Sequence, residues 1–162
     1  MRTMATIVAV GALLMPGLVD AQTKISGTVV CGKPDPEHRL AAADSPDHVF
    51  AISQGKCSWT KPMIIAGSAT QEDSFANFSE NRADSSTEMG FGVGTLASGD
   101  KFHVRVKGKA TTKTGTAQSS GTWKFEGGTG KVNGIKGGGT YKCSGKPEGL
   151  VCEVAGDYTL PK

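Results

Sequence analysis

The sequence predicts an all-β protein, a single antiparallel barrel of about eight strands, and three observations carry that reading. Phe102, Val104 and Val106 alternate with His103, Arg105 and Lys107, the two-residue period of a half-buried strand. The stretch Gly121 to Cys143, GTWKFEGGTGKVNGIKGGGTYKC, sets two strand-like segments around a turn in which seven residues between Gly127 and Gly139 are glycine, a composition that bends sheets and does not build helices. No segment shows convincing helical amphipathicity, and strand-like runs follow one another at short spacings without a sustained repeat. Glycine-rich corners favour a barrel, because closing a sheet needs sharp bends and removes its edges; a β-sandwich is the alternative.

Along the chain, residues 24 to 30 have strand composition, and Gly32 to Pro46, with three prolines, reads as a loop with one helical turn at Leu40 to Ala43. His48 to Ser53 alternates, with Phe50 and Ile52 on one face, and Cys57 to Thr60 and Met63 to Gln71 continue as strands. Glu72 to Ser86 is polar and acidic and reads as a long connection or irregular strand. Glu88 to Leu96 carries glycine at 90, 92 and 94, leaving one face almost without side chains, so something packs closely there. Trp123 and Phe125 share one side of the next strand, Tyr141 and Cys143 follow the glycine turn, and Cys152, Val154, Tyr158 and Leu160 lie on one face of the last strand.

Arg2 precedes the apolar run Ile7 to Met15, which is too short to span a bilayer and ends in Val19-Asp20-Ala21, the pattern of a secretory signal cleaved after Ala21. Residues 22–162 then form one β-barrel domain that is secreted or periplasmic and has no membrane span after signal cleavage. The formal charge of +3 survives cleavage, since one positive and one negative charge leave together. Nine lysines (101, 107, 109, 113, 124, 131, 136, 142 and 146) crowd the second half. They stand singly between Gly and Thr without interleaved stacking aromatics, which reads as solvated strand faces and excludes a nucleic-acid partner.

The four cysteines lie in the exported part, where an even count reads as disulfides. Lys146-Pro147-Glu148-Gly149 fits a type I turn. Counting outward pairs Gly145 with Leu150, Ser144 with Val151, and Cys143 with Cys152, which leaves Cys31 for Cys57. Each bridge would contribute roughly 2.5 to 3.5 kcal/mol.

Candidate chemistry is sparse. Gly128 to Lys131 fails as a phosphate loop, because Phe125 stands where the first glycine should and Val132 where Ser or Thr should hold magnesium. Cys31, His38, His48 and Cys57, with Asp35 and Asp47, match no metal module, and in an oxidising compartment the thiols pair instead, so neither metal nor cofactor is expected. There is no G-x-S-x-G elbow, and the catalytic residues are unknown; His48 and His103 are the candidates, His103 depending on which face lines the lumen. Asn77-Phe78-Ser79 matches a glycosylation sequon. If the fold is a barrel, its lumen is lined by some of Phe50, Ile52, Trp59, Phe102, Val104, Trp123, Phe125, Tyr141 and Tyr158, either filling it or leaving a site for a lipid or aromatic ligand.

Gly127-Gly128-Thr129-Gly130-Lys131, followed by Gly134-Ile135-Lys136-Gly137 and a returning strand, resembles the turn of the allene oxide cyclase and dirigent group of small, calycin-like barrels. The segments CGKPDPEH and HVFAISQGKCSWT also resemble bacterial exported proteins to which no activity attaches. The barrel resemblance implies an eight-stranded antiparallel barrel with an apolar interior, often trimeric, that steers cyclisation or radical coupling of a lipid or phenolic intermediate. No catalytic residue of that group maps onto this chain, and the four cysteines and the Gly32 to Pro46 loop depart from its pattern. The function expected is therefore non-catalytic binding of a small apolar or aromatic molecule. The alternatives are a cyclase- or dirigent-like enzyme and a structural, protein- or glycan-binding envelope protein; a homo-oligomer stays open.

Overall fold

The computed structural model describes residues 22–146 and 149–161. The signal segment, and the Pro147 and Glu148 of the expected type I turn, lie outside the described residues. Ten strands follow in order: β1 (Thr23–Gly32), β2 (Glu37–Ala41), β3 (His48–Lys61), β4 (Ile64–Ile65), β5 (Ser68–Arg82), β6 (Ser85–Leu96), β7 (Lys101–Lys113), β8 (Thr116–Gly128), β9 (Lys136–Lys146) and β10 (Gly149–Thr159). Eight of them, β1-β10-β9-β8-β7-β6-β5-β3, form an antiparallel sheet that the β3–β5 and β1–β3 pairings close into a barrel. β2 and β4 are short outer additions to β3 and β5.

Closure depends on β3. Its lower half pairs with β1 through Val29↔Trp59 and Cys31↔Cys57, while its upper half, past the end of β1, takes β2 on the same edge from Ala41↔Val49 to Glu37↔Ser53. The proline-rich segment after β1 therefore contains a strand. The helical turn expected at Leu40 to Ala43 is absent, because Leu40 and Ala41 are paired with Phe50 and Val49. A second expectation also fails: Glu72 to Ser86 is neither a connection nor irregular. It is most of β5, a two-residue turn at Ala83-Asp84 and the start of β6, in register from Glu72↔Thr95 to Arg82↔Ser85. Its low apolar content hid an ordinary alternation, Asp73, Phe75 and Asn77 on one face and Ser74, Ala76 and Phe78 on the other. At the β7–β8 hairpin, Thr114 and Gly115 both adopt positive φ, +48° and +77°, the backbone of a type I′ turn.

The two ends of the barrel differ. At the end that holds the chain's first and last strand residues, Ile65, Leu96, Phe102, Val132 and Ile135 are at most 2 % exposed and, with Ile25, Met63 and Tyr158, form a solid plug. The glycine turn after β8 belongs to this plug. Its 3-10 turn, Gly130–Val132, drops Val132 into the core, and the Lys131 N–H donates to Asp100 Oδ2 at 3.3 Å, so a side-chain carboxylate occupies the place a phosphate would need. At the opposite end the long β5–β6 and β7–β8 hairpins stand around a mouth.

Both expected disulfides are formed, Cys31–Cys57 and Cys143–Cys152, each joining directly paired residues of neighbouring strands. The register around the second is the expected one, Gly145↔Leu150, Ser144↔Val151 and Cys143↔Cys152.

The close approach inferred for the glycines of β6 is present. A Cβ on Gly94 would strike the ring of Phe102, and one on Gly92 would come within 2.9 Å of Val104 Cγ2. Because Phe102 is 2 % exposed and boxed in by Phe125, it cannot swing away. Gly94→Ala should therefore destabilise the protein by about 1–3 kcal/mol through overpacking, read as a lower urea midpoint. Gly32→Ala, at the end of β1 where a Cβ meets nothing within 4 Å, should shift it by no more than about 0.5 kcal/mol.

Candidate functional site

Above the plug the lumen is not filled. A cavity of about 230 Å³ runs up the barrel axis. For scale, an apolar core cavity of about 150 Å³ stays dry and takes up benzene. The Phe102, Val104 and Val106 face of β7 points into it, and the glycines of β6 opposite keep it from being crossed by side chains. Val104, Val106, Phe75, Tyr141 and Val154 all line the cavity and keep partial exposure, so the interior is reached through the mouth. Both disulfides and Val29 form a patch of its wall.

Six of the nine lumen candidates lie here: Trp59, Phe102, Val104, Trp123, Phe125 and Tyr141. Trp123 and Phe125 meet edge to face at 5.0 Å, and Phe125 meets Phe102 the same way at 5.8 Å, giving the cavity an aromatic floor. Tyr158 is buried below that floor, where its hydroxyl accepts the Ala66 N–H at 3.0 Å, so it belongs to the plug.

Phe50 and Ile52 are not in the lumen. β3 presents Val49, Ala51 and Ser53 inward, and the alternation that grouped Phe50 with Ile52 was correct in period but assigned to the wrong face. Phe50 stacks on Phe78 at 6.0 Å on the outer surface, and Ile52 is 59 % exposed beside it. With Leu40, Met89 and Phe91 they make an apolar stripe across β2, β3, β5 and β6.

The two candidate histidines, His48 and His103, also face outward. His103 opposes Val93 across β6–β7 and lies 5.8 Å from Phe91. His48 is buried on the outer wall, its Nδ1 2.6 Å from Asp44 Oδ1, while Nε2 lies 3.0 Å from Glu80 Oε1 at an angle that makes no hydrogen bond. The His48 hydrogen bond holds the Asp44 carboxyl below its ordinary value, and Arg82 bridges Asp44 and Glu80. Neither histidine lines the cavity. Cys31 and Cys57 are bonded to each other and cannot serve as thiolate ligands, and no group of three metal-ligating side chains converges among the described residues.

Sequence reasoning missed the polar half of the lumen: Asp73 and Asn77 on β5, Glu88 on β6 and Ser119 on β8. Glu88 is held by three donors. Ser119 Oγ donates to Oε1 at 2.5 Å, the Tyr141 hydroxyl donates to the same oxygen at 2.9 Å, and Asn77 Nδ2 approaches Oε2 at 3.5 Å. Gly108 makes this possible, because a Cβ there would collide with the Tyr141 hydroxyl. Burial, then the neighbouring Glu88 charge, raises the Tyr141 phenol well above its ordinary value, so it stays a donor. Asn77 faces inward within this network, so the sequon it heads is not presented on the outer surface.

Asp73 is different. It sits in the wall opposite Cys57 on β3 and Gly94 on β6, and burial pushes its carboxyl up to about 6. The Trp59 indole lies near enough to oppose that rise, yet neither Trp59 Nε1 nor Asp73 Oδ1 completes a hydrogen bond, and Asn77 Oδ1 is likewise buried without a partner. The alternation Asp73, Phe75, Asn77 was the available signal in the sequence.

Neither a protein-family model nor a curated protein matches this chain. Both disulfides suit an oxidising compartment outside the cytoplasm. No helix among the described residues is long and apolar enough to cross a membrane.

Asp73 makes stability depend on pH in a definite direction. Its folded pKa of about 6 lies above the ordinary 3.8, so the folded state holds the proton more tightly and gains stability as pH falls from 7 through 6 toward 4. A rise of that size corresponds to roughly 3 kcal/mol at full effect. Asp73→Asn should therefore be more stable than the wild type at pH 7 and lose that advantage near pH 4, measured by urea denaturation at both values.

Proposed function

We propose that this protein is an exported binding barrel that holds a small apolar or aromatic molecule in its lumen without transforming it. The open cavity above an aromatic floor carries this reading. The plug closes one end, the mouth admits a ligand from the other, and Trp59, Phe75, Val104, Val106 and Trp123 offer apolar surface around a few placed polar groups, the general composition of small-molecule sites. Burial of a ligand there would draw on roughly 25 cal/mol for each Å² of apolar surface removed from water. The signal-like first 21 residues and the two disulfides support export to the periplasm or beyond.

A cyclase or isomerase reading draws on the same cavity, since Asp73, Glu88 and Tyr141 place acid and base groups beside an apolar body. Catalytic turnover of an unstable precursor, absent from a heat-denatured control, would favour it over simple binding.

Both tryptophans line the cavity, so binding is visible in their emission. Fatty acids, phenolics and terpenoids titrated against the oxidised protein should include at least one class that shifts or quenches it saturably. Val104→Phe, which fills the cavity from β7, should weaken that ligand at least about tenfold while the far-UV circular dichroism stays β-type. Silence from every class, or unchanged affinity in the filled variant, would rule against a luminal site.

A further inference from the structure

We infer that the lumen is shaped for a hydrophobic cation, a small molecule with a protonated amine on an alkyl or aryl body, and that Asp73 is its counter-ion. The inference rests on the binding reading above and adds the charge of the ligand to it.

The distribution of charge is the first support. The cavity is lined by two carboxylates, Asp73 and Glu88, and by no lysine, arginine or histidine among the described residues, although the chain has 18 Lys and Arg and a formal charge of +3. The nine lysines of the second half are all exposed. A molecule basic outside and acidic within a narrow, low-dielectric cylinder focuses a negative potential on its own lumen.

The two carboxylates are not equivalent, which is the second support. Glu88 already accepts from Ser119, Tyr141 and Asn77. Asp73 Oδ1 has no partner and is shielded from water, and so is Asn77 Oδ1, which lies on the same face of β5. Both are acceptors; the third buried atom of the cavity wall without a partner, Trp59 Nε1, is a donor that lies beside Asp73. An ammonium brings three donors and no acceptor, whereas a carboxylate ligand would add a third negative charge and donate nothing, and an alcohol has one donor. The charge of Asp73 is shared by both of its oxygens, so a cation against the side that lines the cavity compensates the whole group.

The surroundings select an organic cation over a metal ion. A metal needs several oxygen ligands together, and no such group converges among the described residues. Trp59 and Phe75 instead line the cavity beside Asp73, where aromatic faces attract a cation, and Val104 and Val106 take its hydrocarbon.

Octylamine, 1-octanol and octanoate share one chain and differ in head group, and their affinities for the oxidised protein can be measured by titration calorimetry at pH 7.5. The amine should bind at least about tenfold tighter than the alcohol, with octanoate weakest. Asp73→Asn should bring the amine to within about threefold of the alcohol and leave the alcohol unchanged, while Asp73→Glu keeps the amine preference. The wild-type ranking decides the matter even where Asp73→Asn fails to fold. Equal binding of amine and alcohol, or preference for octanoate, overturns the charge inference and leaves the binding reading standing. Failure of all three to bind counts against both.

Discussion

The constraint on which the structure depends is reciprocity between rings and glycines inside a narrow cylinder. Eight strands enclose little more than their own side chains need. Each large ring that enters has to be matched by a position with no Cβ. Phe102 lies over Gly94, Phe75 over Gly55, and Tyr141 over Gly108. Elsewhere the glycines serve the wall itself: a Cβ on Gly121 or Gly139 would run into the backbone of the adjacent strand. The glycine content of this chain is thus a record of which strands face bulk and which must approach closely. It also explains how an interior with both tryptophans and several other aromatic rings still leaves a cavity.

From that reciprocity comes the division of the lumen into two levels. Below, where β4, the β6–β7 turn and the 3-10 turn fold across the end, apolar side chains pack together and supply the burial that a domain without an α-helix among its described residues needs. Above, the inward positions become polar, and burying them is stabilising only where partners are present. Glu88 has its partners built in. Asp73 does not, and its raised carboxyl is the cost of leaving it so. Natural cores rarely keep an uncompensated carboxylate beside apolar residues unless something outside the fold uses it, which is why the unsatisfied group and the open volume are best explained together.

Much of this is legible in the sequence. Period-two alternation marks β7 and groups Phe102, Val104 and Val106 on one face of it, and Trp123 with Phe125 on one side of β8; hairpin arithmetic around residues 146–149 places Cys143 against Cys152; glycine at 90, 92 and 94 announces a close approach. The errors have physical causes. Phe50 and Ile52 look like core because they are apolar and share a face, but alternation gives the period of a strand and not which of its faces turns inward. That choice is fixed only when β3 pairs with β5 and places Cys57 opposite Asp73. Leu40 to Ala43 has fair helix propensity, and pairing with Phe50 and Val49 overrides it. The same bias hides the site: residues 72–86 lack hydrophobes, whereas a strand that lines a cavity with polar groups in its wall shows a partly polar inward face.

The separation of charge between wall and lumen follows from the same architecture. An outward position on a barrel strand faces water at no desolvation cost, so lysines accumulate there. An inward position faces a space too narrow for hydration on all sides, where any charge persists only with a partner. Glu88 persists because three strands, β5, β8 and β9, each send it a donor. Asp73 has a disulfide sulfur across one flank and a glycine across the other, and the one donor beside it, the Trp59 indole N–H, completes no hydrogen bond to it. Beyond what the Trp59 indole offers, its compensation comes from protonation or from a cation entering through the mouth. The first is available to the protein alone below about pH 6, and the second is what an open lumen with acidic walls admits at neutral pH.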